Sequence, residues 1–227
     1  MKIFLDSANL KDLEICLKRG CIRGITTNPS ILSKEPKTDF MKHIQKMADL
    51  CKQYQQQLPL SVEVFTANPK EMLAQAYDLV KQIDYENLTI KIPIGWDELE
   101  VIYQLSKEGI PVNCTCLFTE AQCMLAANAG AQYVSIFFGR LKDIGADPLP
   151  VIANVRHMLD EAGSSSEIIV GSIRHPKDIS DAHNEGAHIV TAGMKLFESL
   201  ASHPQTTKSV NGFLEDFKLW IGTPVSK

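Results

Sequence analysis

The chain has 227 residues, 44% of them hydrophobic, with a formal net charge of −4 and a pI near 5.9. That length suits one barrel-sized domain and is short for two enzyme domains. The mild acidity argues against nucleic acid or an anionic membrane surface as the main partner, although a local cluster of arginines could still hold a small anion.

Residues 3–6 read as a first strand, and Asp6 at its end comes too early for the uncharged core of a secretion signal. A second strand is expected at 22–26, with Thr26 at its end and Thr27 and Asn28 just beyond. An amphipathic helix over 39–57 precedes a third strand at 60–65, in which Val62 and Val64 face outward and Glu63 inward. A helix over 69–83 spaces Met72, Ala76, Leu79, Val80 and Ile83 along one face. In the fourth strand, 88–92, Leu88, Ile90 and Ile92 take the outer face and leave Lys91 inside. After a helix over 97–107, the strand at 112–116 directs Val112, Cys114 and Cys116 outward, with Asn113 and Thr115 inward. A helix over 120–128 leads to the strand at 133–137, where Ser135 and Phe137 face in and Arg140 follows closely. A helix over 148–162 and a strand over 167–171 lead to GSIRHP, which offers Ser172 and Arg174 ahead of another helix. The last strand is expected at 188–191. A final helix near 206–220 aligns Val210, Phe213, Leu214, Phe217 and Trp220, a stripe suited to closing the barrel or docking on another subunit.

Eight strand–helix units in this length predict an α/β fold, a single (β/α)8 TIM barrel over residues 1–227 with an additional C-terminal helix. A doubly wound open sheet is the competing fold, but it normally carries a Gly-rich phosphate turn after its first strand, where this chain reads SANL. The six cysteines lack CxxC spacing and no His–Cys set completes a metal site, so free thiols, most of them buried, and no metal are expected. No apolar run approaches the ~18 residues of a membrane span. A cytoplasmic protein with neither membrane nor nucleic-acid partner is the expectation.

Strand parity therefore gathers one lysine, two carboxylates, two asparagines and several hydroxyls inside an apolar barrel. Polar groups in such a place cost free energy unless they are paired or used. Removing water from an amine is the general route to a nucleophile that attacks a carbonyl, and its imine then acts as an electron sink. Lys91 is thus the candidate Schiff-base nucleophile. Glu63 is the candidate acid/base, acting through a water shared with Thr115, and Asp6 the candidate base for the hydroxyl whose C–C bond breaks. Thr26, Asn28 and Asn113 can meet substrate hydroxyls. Late barrel loops often bind phosphate, which makes Arg140, Ser172 and Arg174 the candidate anion site.

With these residues in place, the chain resembles the small transaldolase family, which includes the fructose-6-phosphate aldolases. The likeness rests on FLDSAN, GITTNPS, SVEV, IKIP, VNCT, YVSIFFGRLKDIG and GSIRHP, in that order and spacing. The resemblance implies a class I barrel enzyme of sugar-phosphate and pentose phosphate metabolism, with no cofactor and a Schiff base on Lys91. It also implies substrate contacts from Asn28, Asn113 and Ser135, phosphate contacts from Arg140, Ser172 and Arg174, and a decamer of two pentamers. Aldolase members carry Gln and Tyr where this chain has Glu63 and Phe137, so transfer of a dihydroxyacetone unit from fructose 6-phosphate or sedoheptulose 7-phosphate is the favoured expectation. Release of free dihydroxyacetone by an aldolase is the alternative, and a non-catalytic sugar-phosphate-binding barrel is another. Ile136 and Phe138 depart from the family's usual Pro and Val, and Gly193 stands where a proline is usual.

Overall fold

Eight short runs rich in valine, isoleucine and leucine form the strands of the computed structural model, which describes residues 1–222. They are β1 (Lys2–Asp6), β2 (Ile25–Thr26), β3 (Leu60–Glu63), β4 (Leu88–Pro93), β5 (Val112–Leu117), β6 (Tyr133–Phe137), β7 (Glu167–Gly171) and β8 (Ile189–Ala192). Each pairs in parallel with its chain neighbours, and β8 returns to β1 to close the barrel. The helices are α1 (Leu10–Arg19), α2 (Pro29–Leu32), α3 (Phe40–Gln53), α4 (Pro69–Gln82), α5 (Glu98–Lys107) and α6 (Glu120–Asn128). After them come α7 (Phe138–Asp143), α8 (Pro148–Glu161), α9 (Pro176–Asn184), α10 (Met194–Leu200) and α11 (Pro204–Ile221). The (β/α)8 barrel with an extra C-terminal helix is the architecture expected from the sequence. The last five residues, 223–227, of the single domain expected over 1–227 lie outside the described residues.

Helix starts follow from side-chain chemistry. Asn9, Asp39, Asn68 and Asp147 each accept hydrogen bonds from first-turn N–H groups, and Pro69 and Pro148 stand at the first helical position, where no N–H is needed. Among the described residues, no helix is long and apolar enough to cross a membrane.

The core has two parts. The larger lies between the outer strand faces and the helices, with Val62, Ile90, Ile92 and Val134 fully buried against residues such as Met72, Leu79 and Ile102. The smaller sits inside the barrel near its N-terminal end. Phe4, Tyr133, Ile169 and Ile189 pack there as a separate apolar cluster, with the Phe4 and Tyr133 rings edge to face at 6.4 Å. Gly24 makes room for it, since a Cβ at that position would fall 2.4 Å from the Phe4 ring.

Three expectations change. β2 is two residues long instead of five, although Arg23 and Gly24 still hydrogen-bond to β1 beside the Phe4 ring. β3 stops at Glu63, and Phe65 turns outward with its N–H bonded to Gln75. Cys116 does not face the helices as strict alternation predicts. The register of β5 against β6 shifts between Cys114 and Leu117, and Cys116 adopts a left-handed φ of 63°, which turns its side chain towards the barrel mouth. All six thiols are free; Cys16, Cys51, Cys114 and Cys123 are buried, and Cys21 is exposed.

Candidate active site

The C-terminal ends of the strands surround a chamber of about 250 Å³, the face on which barrels of this class carry their chemistry. The registers Val62–Ile90 and Glu63–Lys91 put the two inward side chains of β3 and β4 side by side. Lys91 is buried, its Nζ 3.0 Å from Glu63 Oε2, and it donates to the Thr27 carbonyl at 2.8 Å. A buried ammonium alone would be costly; here a carboxylate and a carbonyl compensate it.

Across the chamber, Thr26 donates to Asp6 Oδ1 at 2.7 Å, and its hydroxyl lies 2.6 Å from that of Thr191. Burial raises the Asp6 pKa above the usual carboxylate range. The Thr26 hydrogen bond and the nearby charges of Lys91 and Lys34 pull it down, while Glu63 adds to the rise. Asp6 also borders a second, larger cavity outside the chamber, so it stands at the junction of the two.

Thr115 lines the chamber, and among the described residues its Oγ1 is the buried side-chain oxygen with no hydrogen-bond partner. Such groups are rare and mark places where a water or ligand atom belongs. Phe137 meets Phe118 edge to face at 5.8 Å on one side, and the Arg140 guanidinium covers its ring at 4.6 Å on the other.

The chamber therefore brings together Lys91, Glu63, Asp6, Thr115, Thr26, Asn28, Ser135, Phe137, Arg140 and Ser172 from the sequence-derived set. Asn28 serves twice, because its side chain also caps α2. Two candidates stand elsewhere. Asn113 lies beneath the chamber, accepting from Ser135 at 2.7 Å and donating to Ser61 at 3.2 Å. Arg174 lines the outer cavity and forms a two-pronged pair with Asp143, both contacts at 2.6 Å. That pairing holds the Asp143 carboxyl below its usual range.

The anion-facing loops are set by close packing. A Cβ at Gly139 would fall 2.2 Å from the Ser172 carbonyl oxygen, so this glycine lets α7 rest on the β7–α9 loop, where Ser172 takes a φ of 58°. Ser61, Thr191 and Cys116 were not singled out from sequence. Parity marks the first two, since Ser61 shares a face with Glu63 and Thr191 with Ile189. The bulge at Cys116 has no comparable signature.

A family model described as transaldolase/fructose-6-phosphate aldolase matches residues 3–221. A probable transaldolase 2 of Listeria monocytogenes is 39% identical over 220 residues, covering 96% of each chain. A probable transaldolase of Coprothermobacter proteolyticus is 38% identical over 224 residues, covering 99% of this chain and all of that one. Among solved structures, a thiamine phosphate pyrophosphorylase from Pyrococcus furiosus superposes with a TM-score of 0.61 over 84% of both chains at 11% identity, a likeness of fold alone.

Proposed function

The chain belongs to the transaldolase/fructose-6-phosphate aldolase family, and on that premise we propose that it is a transaldolase, moving a dihydroxyacetone unit from a ketose phosphate to an aldose phosphate through a Schiff base on Lys91. The observation that carries this reading is the buried Lys91–Glu63 pair at 3.0 Å, in a chamber that also holds a second, separate carboxylate.

The steps follow from the positions. Glu63 accepts a proton from Lys91, whose amine attacks the donor's carbonyl carbon. The carbinolamine loses its oxygen as water, with Glu63 returning the proton through a water held by Thr115 Oγ1. The imine nitrogen then draws in the electron pair of the C–C bond one carbon further on, while Asp6 takes the proton from the hydroxyl at the breaking bond. An aldehyde leaves and an enamine remains. An acceptor aldehyde reverses these steps: the enamine carbon attacks it, Asp6 returns the proton to the new hydroxyl, and water releases the ketose from Lys91. Burial raises the Asp6 pKa and so makes its carboxylate a stronger base, as a group that takes the hydroxyl's proton requires. Asn28 and Ser135 meet the substrate hydroxyls, Asn113 holds Ser135 in place from below, and Arg140 and Ser172 bind the phosphate.

The test is a coupled assay with fructose 6-phosphate, with and without erythrose 4-phosphate. Turnover that requires the acceptor supports transfer, whereas acceptor-independent release of dihydroxyacetone makes the protein an aldolase. On this proposal the apolar wall supplied by Phe137 favours transfer, since it offers nothing to orient a water that would protonate the enamine. Phe137→Tyr retains the ring and its contacts with Phe118 and Arg140, and adds only a hydroxyl. The ratio of free dihydroxyacetone to transfer product should rise in this variant. An unchanged ratio in an active enzyme would refute this account of the choice.

Arg140→Ala should raise KM for phosphorylated donors by roughly ten- to a hundred-fold, the worth of a charge-assisted hydrogen bond. Arg174→Ala should act in the same direction but more weakly, because Asp143 already shares that guanidinium. Unphosphorylated substrates should be nearly unaffected; equal losses on both substrate types would assign these arginines a structural role.

The reading extends to assembly as a homo-oligomer. α11 begins two residues earlier than expected and does not close the barrel: it stands away from the body, with Phe213 70%, Phe217 55% and Trp220 80% exposed. A helix with this much apolar surface needs a partner surface, and the family resemblance points to a neighbouring copy. Phe213→Glu with Phe217→Glu should shift the species seen in light scattering to a smaller mass; an unchanged mass would assign assembly to another surface.

A further inference from the structure

α1 ends in a glycine cap that brings two thiols together. Gly20, with φ 62°, returns its N–H to the Leu17 carbonyl at 3.1 Å. In such a cap the residue four before the glycine and the residue just after it are brought into side-chain contact. Here those residues are Cys16 and Cys21. The Cys21 thiol lies 3.7 Å from the Cys16 carbonyl oxygen. A cap contact asks only for apolar bulk, yet both positions carry sulfur, and a third sulfur approaches from another element. Met194, the first residue of α10, has its Sδ 3.7 Å from Cys16 Sγ.

All three sulfurs line one mainly apolar cavity of about 310 Å³ between β1, α1 and α10, with Ile3, Phe197 and Leu200 among its walls. Arg19 and Glu198, of opposite sign, are the charged residues at its edge. Among the described residues, no three of His, Cys, Asp and Glu gather as a metal-binding group; the third sulfur at this cavity is the Met194 thioether. We propose that Cys16, Cys21 and Met194 form a three-sulfur binding site for a soft monovalent metal ion, of which copper(I) is the type.

The donor chemistry selects the ion. Thiolate and thioether ligands favour copper(I) over hard divalent ions, which want oxygen. The spacing agrees. Metal–sulfur bonds of about 2.3 Å at trigonal angles put sulfurs roughly 4 Å apart, close to the 3.7 Å between Cys16 and Met194. Met194 also lines the outer cavity that Asp6 borders, so an occupied site would tether the start of α10 to α1 beside the mouth of the chamber.

The experiment titrates the full-length, reduced protein with copper(I) against bicinchoninate as a competing chelator, without air. Expected is one copper(I) held per chain. Cys21→Ser, at an exposed position, and Met194→Leu, close in volume, should each weaken competition by at least about tenfold, the smallest effect usual even for groups that only support a ligand. Cys116→Ser should leave it unchanged. Wild-type affinity in either Cys21→Ser or Met194→Leu would overturn the three-sulfur site, as would wild-type protein that takes no copper(I) from the chelator.

Discussion

Lys91→Arg should abolish turnover and should also abolish the adduct trapped by borohydride in the presence of donor sugar. Arginine keeps a positive charge opposite Glu63 and a donor for the Thr27 carbonyl, so the barrel should fold with its ion pair replaced. What it cannot do is form an imine, because a guanidinium stays protonated at any accessible pH. Loss of a covalent nucleophile costs several orders of magnitude in rate, and among the described residues Lys91 is the lysine that lines the chamber. Lys34 and Lys195 border the outer cavity and not the chamber itself. The measurement is mass mapping of the reduced adduct in wild type and its absence in Lys91→Arg. An adduct found on Lys34 or Lys195, or persisting in the variant, would refute the assignment.

Asp6→Asn should separate catalysis from stability. Asparagine retains an oxygen that can accept the Thr26 hydroxyl proton, but it cannot take one from a substrate, so turnover should fall by about 10² to 10⁴, the usual contribution of a general base. Stability should move the other way. Burial raises the Asp6 pKa, so the folded protein binds that proton more tightly than the unfolded chain does. Stability from this group is then complete below the unfolded value and is lost as pH rises through the raised one. Removing the ionisable group should raise the melting temperature at pH 7. The gain should shrink as pH falls through the raised value and vanish below about 4, where Asp6 is protonated in the folded and the unfolded chain alike. A lower melting temperature at pH 7 would mean that the carboxylate is net stabilising where it stands.

How much of this was legible in the sequence depends on which physical rule places each residue. Glu63, Lys91 and Ser135 follow from two-residue alternation alone, because each lies between outward apolar neighbours whose burial is compulsory, and Thr115 follows from the outward Cys114 before it. The same rule failed at Cys116, where a bulge with a left-handed residue breaks the alternation. Nothing in VNCTCLF marks it, since a non-glycine residue with positive φ is held by its surroundings. Alternation gives Asn113 its face but not its depth. Its two hydrogen-bonding groups are taken up by Ser61 and Ser135, partners 52 and 22 residues away that only the strand registers bring near. Arg174 shows the same limit, since Asp143 lies 31 residues before it in the chain. For α11, the apolar stripe could be read directly but not what covers it.

The four-residue apolar plug formed by Phe4, Tyr133, Ile169 and Ile189 fills the end of the barrel opposite the chamber. Access to Lys91 is therefore from the C-terminal ends of the strands, where Asp6 and Arg140 line the chamber. In a transfer reaction the departing aldehyde and the incoming one therefore compete for a single corridor. On the proposed mechanism, the three-carbon fragment waits on Lys91 while one guest clears and the next enters. The sealed end, remote from the reacting atoms, then favours a double displacement, in which the first aldehyde leaves before the second arrives.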